Sequence, residues 1–232
     1  MKIKIFADGA DLEGILQLAI DERISGFTTN PTLMRQSGIS DYEGFARKIL
    51  GHIESQPVSF EVFSDEFPDM ARQARKLASW GPNVVVKIPI TNTRAESSIP
   101  LIRELSEEGL RLNVTAMMNV RQIEVTAEAL ASGPGAILSV FAGRVADTGR
   151  DPIPIMRECL SALAPFDGLE LLWASPREVL NIYQADEIGC DIITVTHDLL
   201  NKLSLYGKDL DDYSLETVKM FHGDAVKAGI IL

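Results

Sequence analysis

Chemistry is concentrated at one lysine, Lys87, set in the apolar run Val84-Val85-Val86-Lys87-Ile88-Pro89-Ile90. If that run is a buried strand, the ammonium loses hydration, and burial disfavours the charged form of a lysine. A neutral amine is a nucleophile that can condense with a carbonyl to form a Schiff base. Read alone, the alternative for the same lysine is partial exposure at a strand end, or neutralisation by a carboxylate. The decision rests on what neighbouring strands would aim at it.

Polar residues recur two apart in the other strand-like segments, a spacing that places them on one face. Ser59 and Glu61 alternate with Val58, Phe60 and Val62, and Asn113 and Thr115 with Leu112 and Val114. Ser139 and Phe141 alternate with Leu138 and Val140, while Trp173 and Ser175 flank Ala174. Asp8 closes the first such segment, and Thr29-Asn30-Pro31 follows the second. A face built only for packing would carry Val, Ile and Leu. Arg144 and Arg150 follow the sixth segment, and Arg177 is expected at the start of the seventh helix, beside Ser175. Arginine forks match phosphate geometry, and late loops of a barrel often hold a phosphate; the alternative for each is a solvated loop arginine. Arg94, beyond the lysine strand, is a further candidate anion contact, and His197 a candidate for the pocket mouth. His52, His197 and His222 show no metal-ligand spacing, so no metal is expected.

These residues need elements to hold them, and strand-like and helix-like patterns alternate throughout. Apolar runs at Lys2–Ala7, Gly26–Thr28, Pro57–Phe63, Asn83–Ile88, Leu110–Thr115, Ala136–Phe141, Leu169–Ala174 and Asp191–Val195 read as strands. Helical periodicity falls at Leu12–Ile20, Tyr42–Ile53, Pro68–Ser79, Glu96–Glu108, Val120–Ala131, Pro152–Leu163, Pro176–Tyr183 and Asp198–Leu203. Eight strand–helix repeats imply a parallel sheet covered on both faces. They close most naturally as a single-domain (β/α)8 (TIM) barrel over residues 1–232, with its site at the carboxyl ends of the strands. A doubly wound open sheet is the alternative, but Ala7-Asp8-Gly9-Ala10-Asp11 is not the Gly-rich loop it would want. A last amphipathic stretch, Ser214–Ala228, is expected to be a C-terminal helix.

Composition narrows the partners. The 232 residues are 46% hydrophobic and 24% charged, which suits a globular domain. A formal charge of −11 argues against tracking nucleic-acid phosphates. No run approaches the ~18–20 apolar residues of a membrane span, and Met1 leads into a strand with no signal peptide. Cys159 and Cys190 read as reduced thiols of a cytoplasmic protein.

Together Asp8, Thr28-Thr29-Asn30-Pro31, Glu61, Val-Val-Val-Lys87-Ile-Pro, Asn113-x-Thr115, Ser139-x-Phe141-x-x-Arg144 and Ala174-Ser175-x-Arg177 resemble the transaldolase family. More narrowly, the chain is similar to the short transaldolases and their fructose-6-phosphate aldolase relatives. The resemblance implies a Schiff base on Lys87 with a ketose donor, Asp8 as acid/base, and Glu61 with Thr115 holding a proton-shuttling water. It implies that Asn30, with Thr29 before it, and Asn113 bind a dihydroxyacetone unit, that Ser139 and Phe141 shape its pocket, and that Arg144, Ser175 and Arg177 bind phosphate. Glu61 and Phe141 look like transaldolase; the aldolase relatives typically carry Gln and Tyr. The implied activity is transfer of dihydroxyacetone from fructose 6-phosphate or sedoheptulose 7-phosphate to an aldose phosphate, in the pentose phosphate pathway, with no cofactor and in a homo-oligomer. An aldolase releasing free dihydroxyacetone is the near alternative, and a non-catalytic sugar-phosphate-binding barrel the distant one.

Overall fold

The computed structural model of the protein describes residues 1–229. Its eight strands close into a barrel in sequence order, β1 to β8. They are β1 (Lys4–Asp8), β2 (Ile24–Thr28), β3 (Val58–Glu61), β4 (Val84–Pro89), β5 (Leu112–Met117), β6 (Ala136–Val140), β7 (Leu169–Trp173) and β8 (Ile192–Thr196). Every pairing is parallel, and the seam closes by β1 against β8 from Lys4↔Ile192 to Asp8↔Thr196. The TIM-barrel expectation holds. Val84, Val86 and Ile88 on one side of β4 are all buried, and so is Val85 on the other. Burial on both faces is what turns a parallel strand into an apolar run.

Inside the barrel, Phe6, Val85, Ile137, Leu172, Ala174 and Ile192 form one apolar cluster, with Phe141 packed against it. A Cβ on Gly26 would stand only 2.6 Å from the Phe6 ring, so glycine there makes room for the phenyl group. Because Leu172 and Ala174 belong to this inner cluster, Trp173 must point the other way. The inward pair Trp173 and Ser175 expected on β7 is therefore corrected for Trp173: parity sends its indole outward, where it is fully buried.

The helices start where short polar side chains can cap them. Asp11 accepts from Gly14 N to open α1 (Leu12–Ala19), and Asn30 accepts from Leu33 N to open α2 (Pro31–Gln36). Asp41 does the same for α3 (Tyr42–Leu50), and α4 (Phe67–Ala78) follows β3. Next come α5 (Ile99–Glu107), α6 (Val120–Leu130), α7 (Ala142–Asp147), α8 (Pro152–Leu163), α9 (Leu180–Glu187) and α10 (His197–Asn201). The short α2 and α7 were not expected, being too brief for a periodic signal. The fifth helix starts at Ile99 and not at Glu96, because Asn92 Oδ1 accepts from Arg94 N and Glu96 N and holds that segment as a turn. The seventh expected helix starts at Leu180, leaving Pro176 and Arg177 in a loop pinned by Arg177 N donating to Asn181 Oδ1 at 2.7 Å. Cys159 and Cys190 are buried free thiols.

Met1–Leu200 and Asn201–Leu232 form two compact units. The second holds a 3-10 turn (Lys202–Leu205) and α11 (Leu210–Lys227), which begins earlier than the expected Ser214 because Asp209 caps it by accepting from Asp211 N and Asp212 N. Ile230-Ile231-Leu232 lies outside the described residues. Among the described residues no helix is long and apolar enough to cross a membrane.

Candidate active site

A cavity of about 410 Å³ opens among the carboxyl ends of the strands. That volume is in the range of small-molecule sites. Asp8, Asn30, Glu61, Lys87, Thr115, Ser139, Phe141, Arg144, Ser175 and Arg177 all lie on its wall. Thr29 and Asn113 do not. Thr29 is fully buried with its hydroxyl donating to Ser59 O, and Asn113 is fully buried between Ser59 and Ser139.

Strand register explains why the ionisable groups meet. Glu61 pairs level with Lys87, and Lys87 level with Asn113. Lys87 is only 7% exposed, and its Nζ donates to Thr29 O at 3.1 Å. Glu61 Oε2 lies 3.7 Å from Nζ, an ion pair longer than a hydrogen bond. Across the barrel, Thr28 Oγ1 donates to Asp8 Oδ1 at 2.8 Å and Asn30 Nδ2 to Oδ2 at 3.2 Å. Thr194 Oγ1 in turn meets the Thr28 hydroxyl. Burial pushes the Asp8 carboxyl above its usual range, against the opposing pull of Lys87, Thr28, Asn30 and His197. Burial also raises Glu61; Lys87 opposes the rise and the Asp8 charge adds to it. Two buried carboxyls, both raised by desolvation, beside an amine in one cavity are a constellation of the kind found at catalytic sites.

The hydroxyl and amide groups around them form a fixed frame. Asn113 Nδ2 donates to Ser59 Oγ at 3.1 Å, and Ser139 Oγ donates to Asn113 Oδ1 at 2.7 Å. Tyr42 grips the backbone beside the carboxylate: its hydroxyl accepts from Glu61 N at 2.8 Å. Thr115 Oγ1 is buried and finds no hydrogen-bond partner among the described residues. A buried hydroxyl on a cavity wall without a protein partner suits water or a ligand. Ala116 and Ser175, both on the wall, have φ of 64° and 62°, left-handed values that cost non-glycine residues energy and cluster at functional sites.

The cationic end depends on one close approach. A Cβ on Gly143 would fall 1.5 Å from Ser175 O, so only glycine lets the start of α7 touch the loop after β7. That contact brings Arg144 and Arg177 onto one wall. Arg144 sits over the Phe141 ring at 5.6 Å. Arg177 forks onto Asp147, with Nε donating to Oδ1 at 3.0 Å and Nη2 to Oδ2.

Three of the sequence-based candidates sit elsewhere. Arg94 is bound by Asp65, Glu66 and Glu96, away from the cavity wall, because its turn after β4 is tied through Thr93 to the acidic segment ahead of α4. Arg150 donates to Thr148 Oγ1 and is exposed. His197 lines an adjoining cavity and not the mouth of this one. Sequence reading gave Thr28 no role of its own and passed over Thr194, Thr196 and Tyr42. The alternation Ile192-Thr194-Thr196 was a usable signal for β8. Tyr42 gave none, since a helical tyrosine reads as core.

Barrel, cavity and buried ionisable trio define an enzyme site of the (β/α)8 class. Within that class the chain belongs to the transaldolase/fructose-6-phosphate aldolase family, whose sequence profile matches residues 5–230. It is 36% identical over 206 residues to a probable transaldolase of Dehalococcoides mccartyi, covering 87% of this chain and 90% of that protein. A probable transaldolase of Methanococcus maripaludis is 32% identical over 92% of this chain and 94% of its own length. One from a Thermoanaerobacter species is 31% identical over 98% and 99%. The protein is thus an enzyme of the transaldolase type. Dihydrodipicolinate synthase from Rhodopseudomonas palustris shares the fold alone, with TM-score 0.59 and 16% identity over 83% of this chain and 69% of that one.

Proposed function

We propose that the enzyme is a Schiff-base transaldolase that moves a dihydroxyacetone unit between sugar phosphates. The observation that carries this reading is an amine only 7% exposed, facing Glu61 and sharing a polar cavity with Asp8. The Lys87 amine attacks the ketose carbonyl, and loss of water gives the iminium. Asp8 takes the proton of the C4 hydroxyl as the C3–C4 bond breaks. The first aldehyde leaves and an enamine stays on Lys87. Asp8 then returns its proton to the oxygen of an acceptor aldehyde as the new bond forms, and hydrolysis frees the product. Glu61 and the unpartnered Thr115 hydroxyl suit the water that enters and leaves. Asn30 and Ser139, the latter held by Asn113, suit the hydroxyls of the three-carbon unit.

Phe141 favours transfer over release. A phenol at that position would offer a proton to the enamine carbon, and a phenyl ring cannot. Glyceraldehyde 3-phosphate formation from fructose 6-phosphate should therefore depend strongly on added erythrose 4-phosphate. Equal rates with and without acceptor would establish the aldolase reading instead.

Arg144, Arg177 and Ser175 are the groups suited to the acceptor phosphate. Removing one charge-assisted contact costs about 1.5–3 kcal/mol. Arg177→Ala should raise KM for erythrose 4-phosphate by roughly 10–100-fold, while unphosphorylated glyceraldehyde is affected far less. Similar KM changes for both acceptors would remove Arg177 from the phosphate site.

A further inference from the structure

The ladder between β2 and β3 stops one bond early. Its register ends at Thr28↔Ser59. Phe27 N donates to Pro57 O at 2.9 Å, and Thr29 N donates to Ser59 O at 3.2 Å. Parallel strands are joined by evenly spaced, slanted bonds, so the next would run from Glu61 N to Thr29 O. Neither atom takes part in it. Glu61 N donates to the Tyr42 hydroxyl at 2.8 Å, and Thr29 O accepts from Lys87 Nζ at 3.1 Å. On its other edge β3 continues regularly, with Val62 N donating to Lys87 O at 3.1 Å. The missing bond is therefore on the side where the amine is held.

Tyr42 is fixed where it can take that N–H. It opens α3 just after Asp41, whose carboxylate accepts from Gly44 N. Its ring stands edge-on to Phe60 and Trp80, with centroids 5.9 and 5.7 Å away, and tilted against Phe63 at 4.8 Å. The hydroxyl also donates to Glu61 O at 3.4 Å, so it meets both backbone polar groups of one residue. Tyr42 is not on the wall of the main cavity. It lines another, of about 250 Å³, and Glu61 borders both.

We propose that Tyr42 is a positioning residue for Lys87: by drawing the Glu61 N–H out of the ladder, its hydroxyl frees the Thr29 carbonyl to hold the amine at the cavity. This rests on the Schiff-base role of Lys87 proposed above. A half-buried N–H left without an acceptor costs stability. Once the phenol oxygen is gone, Thr29 O is the acceptor that the strand register offers. Lys87 Nζ and Glu61 N then compete for one carbonyl, and the amine leaves its line of approach to the donor.

The test is the single-turnover rate at which Tyr42→Phe forms the borohydride-trapped adduct with fructose 6-phosphate. The substitution removes one oxygen and keeps the ring against Phe60 and Trp80. At saturating donor the adduct should form about 10–100-fold more slowly, the scale on which a misplaced reacting group acts. The donor concentration giving half the maximal rate should be unchanged. Trp80→Phe disturbs the same aromatic cluster and leaves the hydroxyl, so it should lower Tm without slowing the adduct; equal slowing in both variants would assign the effect to packing and overturn the proposal. Crystals of Tyr42→Phe should show Glu61 N bonded to Thr29 O, and Lys87 still holding that carbonyl alone would count against it. If Tyr42→Phe folds poorly, a wild-type crystal structure decides: Glu61 N on the Tyr42 hydroxyl upholds the proposal, and Glu61 N on Thr29 O overturns it. Adduct formation at the wild-type rate in folded Tyr42→Phe overturns it too, while leaving Lys87 as the nucleophile. No adduct on the wild type removes the Schiff-base reading itself.

Discussion

Lys87→Met is expected to abolish covalent capture of donor ketose and to lower turnover by at least about 10⁴-fold, the scale on which loss of a covalent nucleophile acts. Borohydride added with fructose 6-phosphate should give a mass adduct on the wild-type protein and none on the variant. Methionine is the right probe because it fills similar volume with no amine, between Val86 and Ile88, which are fully buried. The polar end of the lysine rests on one backbone carbonyl and one ion pair. The variant should therefore fold and melt normally, so that lost capture reports chemistry and not collapse. An adduct of equal yield on the variant, at any other lysine, would sink the assignment.

Asp8→Asn should separate the steps. Removing a general acid/base costs about 10²–10⁴-fold in rate, and turnover should fall on that scale. Imine formation needs Lys87 and the Glu61 side of the cavity, so borohydride capture of the donor should survive. The same variant should be more stable than the wild type at neutral pH. Burial raises the native Asp8 pKa above the unfolded value of 3.8. As pH rises past 3.8, the unfolded chain gives up this proton first, and native stability falls until the folded group ionises too. Asparagine escapes that loss. Thermal melts should show a higher Tm for Asp8→Asn at pH 7, by about 2–4 °C per kcal/mol relieved, and no advantage below pH 3.8. A lower Tm at neutral pH would mean that the hydrogen bonds from Thr28 and Asn30 outweigh the cost of the buried charge.

The polar face that lines the cavity was legible because strand alternation is a local property. Ser59 and Glu61, or Asn113 and Thr115, sit two apart wherever the strand goes, so a polar inward face could be read before any barrel was seen. Trp173 shows the limit of that reading. Parity gives two faces but not which is inward, and the answer came from Leu172 and Ala174 joining the inner cluster. Element boundaries failed where side chains competed with periodicity: Asn92 holds a turn ahead of α5, and Asn181 holds Arg177 outside α9.

Charge partners were the least legible feature. Arg94 and Arg177 look alike in sequence as arginines just beyond strand ends. One is consumed by three surface carboxylates, and the other forks onto Asp147 while still lining the cavity. Thr28 and Thr194 are 166 positions apart yet stand in one hydrogen-bonded chain to Asp8.

The order of residues along the chain determined the repeat, the closed barrel class and which side chains could share a strand face, because backbone periodicity and burial patterns act over a few residues. Only the tertiary structure decided which arginines line the cavity, that Gly143 lets the start of α7 touch the loop after β7, and that His197 shares a cavity with Asp8. Those outcomes depend on distances between segments far apart in sequence, and no local pattern carries them.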